Sequence, residues 1–272
     1  MSNLRRLNLL AAGAHGLSLL ATLYGFSKRQ LSLKEIDMKR VTVDPAGTLP
    51  AQCELNYDVK TVNLGPFRYD IAIASFFAIS CLAHLFYANS KRYERAIEAG
   101  WNPYRWYEYA ASAGVMTLTL ATADGIRDYP FALTLAGVTA GLQFSGYTTE
   151  STLRYASPIN SETISGAQLT GWFLFLVIWL PLLYTFRRLV KDVEGLPSTA
   201  KVPGWVIFVV FSQIVYYALF GLVQRWHIQD RVNGFKRFAT LHERRYIMLS
   251  FMSKISLALG FAYGLLFRTR NC

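Results

Sequence analysis

Residues 246–267, YIMLSFMSKISLALGFAYGLLF, are apolar enough to cross a lipid bilayer as one helix, yet they carry a lysine, Lys254, near the middle. A helix needs about 20 apolar residues to cross ~30 Å of hydrocarbon. A charged side chain at the centre of such a helix costs at least ~2.5–3.5 kcal/mol. The segment therefore predicts a membrane span in which Lys254 has either a functional role or a paired structural one.

Similar apolar runs are found along the whole chain of 272 residues. They predict seven spans, at about 4–26, 67–90, 103–123, 129–149, 165–188, 203–226 and 245–268. Because these spans use most of the sequence, we predict an all-α membrane protein with one seven-helix domain covering residues 1–272. The first run lacks a small-residue cleavage site, which favours a retained span over a removed signal peptide.

The loop at 27–66, between the first two predicted spans, has its own pattern. In KRVTVDPAGTLPAQCELNYDVKTVNL (39–64), apolar residues alternate with polar ones on both sides of the turn-forming sequence Pro45-Ala46-Gly47. These apolar residues are Val41, Val43, Leu55, Tyr57 and Val59. Such alternation around a Pro/Gly turn predicts a β-hairpin. We expect the hairpin to lie on the membrane surface, where it caps the helices or pairs with a second subunit.

The formal net charge of +11 arises mainly from Lys and Arg in the loops, where they are expected to contact lipid headgroups rather than nucleic acid. The side of the membrane that holds the N-terminus carries 13 Lys and Arg, against 7 in the short loops of the other side. This bias favours a cytoplasmic N-terminus, an extracellular C-terminus and an extracellular 27–66 loop. The cysteines, Cys53, Cys81 and Cys272, are too few and too scattered for a disulfide or zinc framework.

Four ionisable residues lie inside predicted spans: His15, His84, Glu108 and Lys254. Counted from the side of the N-terminus, all four fall in the same half of the membrane, and Glu108 and Lys254 differ in depth by only ~6 Å. The sequence therefore predicts one buried polar cluster. Three further ionisable residues lie close enough to span ends to reach headgroups: Asp70, Arg105 and Asp124.

Several roles fit this cluster. Lys254 could face a water path in a transporter, could fix helix packing through an ion pair, or could form a Schiff base whose protonated imine needs a carboxylate counterion. A structural pair between Glu108 and Arg105, one turn earlier, is another reading. A Schiff base to a long polyene also requires a slot lined by aromatic side chains, for which the fifth and sixth spans offer Trp179, Phe211, Tyr216 and Tyr217.

Two motifs resemble the signatures of the heliorhodopsins, a family of retinal-binding membrane proteins: RWYEYAASAGVM (105–116) and HERRYIMLSFMSKISLAL (242–259). VPGWV (202–206) and the hairpin-bearing first loop also fit. The resemblance covers nearly the whole chain and implies a rhodopsin-like seven-helix bundle with a cytoplasmic N-terminus. It implies all-trans retinal bound to Lys254 through a protonated Schiff base, Glu108 as counterion, and a homodimer with the hairpin at its interface.

The resemblance also assigns further site residues. His15 and His84 match the family's polar cluster near the Schiff base, and Ser250 matches its nearby serine. The predicted cofactor-binding set is completed by Met116, Trp179 and Tyr217, where retinal-packing side chains lie, and by Ser80, Tyr109 and Ser112. The chain departs from better-known members at Ala113, at Ala218 and in a lengthened 225–245 loop, which bears on colour and photocycle speed.

We expect a sensory or signalling photoreceptor with a partner of unidentified kind. Retinal pumps place a second key residue four positions after the counterion and often a carboxylate eleven positions after it. Here those residues are Ser112 and Thr119, and a threonine hydroxyl cannot donate a proton near neutral pH. The alternatives are light-gated passive ion (proton) conduction and a retinal-independent transporter or scaffold. With no nucleotide-binding loop, metal-ligand spacing or nucleophile–base pair in the sequence, we predict no enzymatic activity.

Overall fold

The computed structural model describes residues 2–28, 37–45, 57–155, 161–194, 202, 204–234 and 239–268. These residues form eight α-helices and two β-strands. In chain order they are α1 (Ser2–Lys28), β1 (Asp37–Pro45), β2 (Tyr57–Pro66), α2 (Tyr69–Asn89), α3 (Lys91–Glu98), α4 (Pro103–Ala123), α5 (Tyr129–Tyr155), α6 (Ser161–Asp192), α7 (Gly204–Val232) and α8 (Ala239–Arg268).

Each of the seven predicted spans coincides with a long helix, namely α1, α2 and α4 to α8. Within the described residues, four helices are long and apolar enough to cross a membrane by length and composition: Asn3–Gly25, Tyr69–Asn89, Ile164–Asp192 and Gly204–Val232. The remaining long helices, α4, α5 and α8, contain more polar residues, among them Glu108 and Lys254 of the predicted cluster.

Local sequence accounts for the ends of the helices around α4. The Asn102 side chain accepts hydrogen bonds from the backbone N–H groups of Tyr104 and Arg105, and Pro103 occupies the first turn, where a missing N–H costs nothing. At the other end of α4, Gly125 has a φ of 92°, which only glycine adopts without strain. These signals fix where α4 starts and stops, and hence the level of Glu108.

The helices extend beyond the predicted spans at the end of the bundle where α1 begins, here called the N-terminal face. α5 continues to Tyr155, α7 continues to Val232 and α8 begins at Ala239. The expected loop at 225–245 is therefore mostly helical, because polar residues can continue a helix once it has left the apolar layer. Four buried polar residues lie on these extensions: Glu150, His227, His242 and Glu243.

The two strands in the first interhelical loop pair antiparallel, with Val43 opposite Val59 and Val41 opposite Thr61. β1 ends at Pro45 and β2 begins at Tyr57, so Leu55 and the Ala46-Gly47 part of the expected turn lie outside the described residues. The hairpin connection and its place at a subunit interface therefore stay predictions.

The largest apolar core lies between α2, α4, α5, α6, α7 and α8. Phe76, Phe77, Ile178 and Leu182 are fully or almost fully buried in it. A second cluster at the N-terminal face packs α3 against α1, α2 and α8 through Leu4, Tyr93, Ile97 and Ile247, among others. His15 packs against Phe77 of the first cluster and His84 against Tyr87 of the second, so these two histidines lie where the clusters meet.

Candidate functional site

The structure brings Lys254 and Glu108 into direct contact. The Lys254 Nζ atom on α8 lies 3.0 Å from the Glu108 Oε1 atom on α4, and both side chains are buried. Arg105, the alternative partner considered for Glu108, instead forms ion pairs with Glu150 and Glu243. Because an unpaired charge is so costly to bury, this ion pair explains how the apolar segment of α8 accommodates a lysine.

Serine hydroxyls hold both partners of the pair. Ser80 on α2 donates to Glu108 Oε1 at 2.6 Å, and Ser112 donates to the same oxygen at 3.1 Å. Lys254 donates a second hydrogen bond to the Ser250 Oγ atom at 2.6 Å, one turn earlier on α8. These donors stabilise the carboxylate form of Glu108, and α2, α4 and α8 therefore meet at one charged centre.

His15 and His84 lie side by side next to this centre, with ring centroids 5.5 Å apart. The His84 Nδ1 atom lies 2.8 Å from the Asn8 side-chain oxygen. His15 lies between Phe77 and Phe251, and neither of its ring nitrogens contacts a hydrogen-bond partner among the described residues. All four ionisable residues that the sequence placed in one half of the membrane are thus buried together.

A cavity of about 740 Å³, counting the space open to its surroundings, begins at Lys254 and is bounded by α4 to α8. Six of the predicted site residues line it: Tyr109, Ser112, Met116, Tyr217, Ser250 and Lys254. The five other predicted site residues are not among its lining residues: Glu108, Ser80, His15, His84 and Trp179. The cavity is therefore a mainly apolar space whose lining includes the Lys254 amine.

The aromatic residues expected to line the slot divide into three groups. Tyr217 lines the cavity, and Trp179 packs edge-on against it with ring centroids 5.4 Å apart, without lining the cavity itself. Phe211 is 53% exposed on the outer surface of α7, so its expected place in the slot is wrong. Tyr216, one residue before Tyr217, is half-buried but does not line the cavity, because adjacent helical residues point in different directions.

Several lining residues were not identified from the sequence. Trp172 and Phe175 on α6 and Phe220 on α7 complete the aromatic wall. A Cβ atom at Gly221 would come within 2.9 Å of the Trp172 ring, so this glycine allows α6 and α7 to approach closely beside the cavity. The one available signal was their helical spacing, since Trp172, Phe175 and Trp179 recur every three or four residues on α6.

A second buried charge network lies at the N-terminal face and corrects the expectation that Arg105 reaches headgroups. Arg105 is buried and forms ion pairs with Glu150 on α5 and Glu243 on α8. Asn102 donates its side-chain N–H to Glu243 at 2.8 Å and its backbone N–H to Glu150 at 3.0 Å. The Tyr93 hydroxyl donates to Glu243 at 3.2 Å, which ties α3 to the same network.

Asp124, at the end of α4 away from the N-terminal face, was also expected near headgroups but is 1% exposed. Neither of its carboxylate oxygens has a hydrogen-bond partner among the described residues. Burial raises the pKa of this carboxyl well above its usual range, because no neighbouring donor stabilises the charged form. Burial therefore favours the neutral form of Asp124 over its carboxylate.

The described residues contain no group of three or more His, Cys, Asp or Glu side chains that could hold a metal ion. In a comparison with protein families, residues 4–266 match the model described as Heliorhodopsin. A search of curated proteins found no match. The family match covers nearly the whole chain, including every residue of the Lys254–Glu108 centre.

Proposed function

Because the chain belongs to the heliorhodopsin family, whose members are light-sensing, retinal-binding membrane proteins, we propose that it is a photoreceptor with retinal on Lys254 and Glu108 as counterion. The observation that carries this proposal is the 3.0 Å contact between Lys254 and Glu108 at the wall of the cavity. A lysine needs both an adjacent carboxylate and an adjacent space to serve in this way.

The residues present fit retinal. Its polyene is apolar, and Met116, Leu142, Phe175 and Phe220 offer it an apolar and aromatic wall. When bound, retinal would supply the light absorption and a change of shape on isomerisation, and the Lys254 amine would hold it as a protonated Schiff base, formed with loss of water. We propose the all-trans isomer for the dark state, as the sequence motifs imply.

The protein's own groups control the positive charge at Lys254. Glu108 balances that charge, while Ser80 and Ser112 orient its carboxylate through bonds to the same oxygen. The burial of the whole centre strengthens these interactions by excluding bulk water. His15 and His84, the adjacent imidazoles, can hold a proton that moves away from this centre.

The polar groups favour sensing over pumping. Eleven residues after Glu108, Thr119 donates its hydroxyl to the Val115 carbonyl, as an ordinary helix residue does. Asp124, the next carboxylate after Glu108 in the direction of the C-terminal end of α4, lies 16 residues, or ~24 Å, from Glu108 along the helix axis. The apolar core, with Leu120 and Leu257, occupies the region between them. We therefore propose a sensory or signalling role, as a homodimer of seven-span subunits with the N-terminus in the cytoplasm and an unidentified signalling partner.

The first test is an absorption spectrum of membranes that contain the protein, before and after addition of all-trans retinal. We expect a visible band that bleaches with hydroxylamine under illumination, because hydroxylamine cleaves a Schiff base. Well-folded protein without a visible band would contradict the proposal and leave a retinal-independent transporter or scaffold as the better reading. If the band forms, photocurrent recordings distinguish the sensor, which gives no current, from a light-gated passive conductor of protons or other ions.

A further inference from the structure

Three exposed basic residues from two helices lie together at the N-terminal face. Lys91 and Arg92 form the first turn of α3, and the Arg5 Nε atom on α1 donates to the Ala88 carbonyl at the end of α2, at 3.1 Å. Ala88 is only three residues before Lys91, so at most ~11 Å of chain separates them. We name Arg5, Lys91 and Arg92 the α2–α3 corner.

The dipole of α3 does not explain why two cations lie in its first turn. The start of a helix carries the positive end of its dipole, which favours acidic residues and disfavours cations. The first turn of α3 nevertheless holds two cations and one carboxylate, Glu94. None of the ion pairs found among the described residues involves a residue of the corner. The corner therefore concentrates positive charge that no ion pair among the described residues offsets.

Three exposed apolar side chains lie on the helices α1 and α2 that meet at this corner. Leu9, one turn after Arg5 on α1, is 43% exposed, and Leu85, one turn before the end of α2, is 42% exposed. Phe86 beside it is also exposed. Since α1 begins and α2 ends at the N-terminal face, all three side chains lie deeper in the membrane than the corner.

We propose that the α2–α3 corner binds the phosphate of an anionic phospholipid, whose acyl chains lie on Leu9, Leu85 and Phe86. A phosphate anion matches the cations and the positive end of α3. A soluble phosphate would use the charges alone, whereas a lipid also covers the exposed apolar side chains. Each basic residue near an anionic membrane surface strengthens binding about five-fold.

The test measures thermal stabilisation of the detergent-solubilised full chain during titration with dioleoylphosphatidylglycerol or dioleoylphosphatidylcholine. The variant is the double substitution Lys91→Gln and Arg92→Gln. Its control is Arg187→Gln with Arg188→Gln, which removes the same charge from exposed residues near the end of α6, at the opposite face. Glycerol phosphate serves as the headgroup without acyl chains.

We expect phosphatidylglycerol to stabilise the unmodified protein more than phosphatidylcholine does. The corner variant should need at least ten-fold more phosphatidylglycerol for the same effect, and the control should stay within two-fold of the unmodified protein. An equal loss in the control would show that total charge, and not the corner, attracts the lipid. Unchanged behaviour of the corner variant, or equal stabilisation by glycerol phosphate, would also overturn the proposal.

Discussion

At the scale of single residues, the molecule is organised around charges that are buried only because they have partners. Lys254 has Glu108 at 3.0 Å and Ser250 at 2.6 Å. Removing one partner of such a pair leaves the other as an isolated buried charge, which costs more than the pair itself contributes. Substitutions at this centre should therefore affect both the pigment and the fold, and each needs a readout that separates the two.

Lys254→Ala should abolish the visible band, because no other amine lines the described cavity. The measurement is the absorption spectrum after addition of retinal to protein whose folding is checked by gel filtration. Met252→Ala is the control, since Met252 lies on the same helix but is 46% exposed and does not line the cavity. Pigment in the Lys254→Ala variant would end the assignment of this residue.

Glu108→Gln should shift the visible band to longer wavelength or convert the pigment at neutral pH to a form that absorbs in the near ultraviolet. The reason is that a neutral amide cannot balance the charge of a protonated imine. The ground state of the protonated imine then rises in energy, or the imine loses its proton. Thr119→Val is a control on the same helix, because Thr119 is buried and its hydroxyl donates to the Val115 carbonyl of that helix. A spectrum unaltered by Glu108→Gln would exclude this residue as counterion.

Asp124→Asn should stabilise the protein increasingly as pH rises. The pKa of Asp124 is raised in the folded protein, so the neutral acid is favourable below its usual pKa of 3.8 and this benefit is lost as pH increases towards the folded value. Between pH 3.8 and the pKa of Asp124 in the folded protein, the unfolding free energy of the unmodified protein falls by about 1.4 kcal/mol per pH unit because of this group. Asparagine does not titrate, so the variant has no such loss. Thermal unfolding of the variant and of the unmodified protein from pH 4 to pH 9 measures the difference in their stability. A stability difference that does not change with pH would contradict a neutral Asp124.

At the scale of helices, the charge network of Arg105 joins α4 to α5 and α8. Arg105→Gln should cost about 3–5 kcal/mol of unfolding free energy, because it leaves the buried carboxylates of Glu150 and Glu243 without their cation. Arg68→Gln is the matched control, since Arg68 pairs with Asp70 at the surface, and such pairs contribute at most ~1 kcal/mol. Denaturant unfolding in detergent gives the unfolding free energies of the two variants. Equal losses of unfolding free energy in both would show that burial of the Arg105 network does not matter.

The sequence predicts the helices well where they cross an apolar layer and poorly where they leave it. Hydropathy locates each long helix because burial in lipid requires apolar side chains, but it loses α5, α7 and α8 once polar residues continue the helix at the N-terminal face. α3 was missed because its eight residues combine a narrow apolar side with charged ones. Its helical character depends on packing of Tyr93 and Ile97 against neighbouring helices.

The same limits apply to the site. Each residue adds a fixed rise along a helix, so counting residues from the span ends was enough to predict that Glu108 and Lys254 lie at similar depths. The partners of Arg105 were not found, because Glu150 and Glu243 fell just outside the predicted ends of their spans. Trp172 and Phe220 could not be assigned to the cavity either, since the direction of a side chain around a helix depends on how the helices pack.

At the scale of the whole molecule, the distribution of basic residues predicts the orientation in the membrane. With native cysteines replaced by serine, Lys191→Cys should react with a membrane-impermeant maleimide on intact cells, and Lys91→Cys only after permeabilisation. Lys91 lies at the N-terminal face and Lys191 in the last turn of α6, at the opposite face. The reverse labelling pattern would place the N-terminus outside the cell.

The Arg105 network has a consequence for biosynthesis. Arg105 precedes Glu150 by 45 residues and Glu243 by 138, and Glu108 precedes Lys254 by 146. A chain emerging from the ribosome therefore places Arg105 and Glu108 in the membrane long before α8 exists. Both centres remain incomplete until the C-terminal helix arrives, which completes them together. A chain that stops short of α8 leaves Glu108 without its cation in an apolar surrounding, and Arg105 with Glu150 as its one carboxylate partner among the described residues.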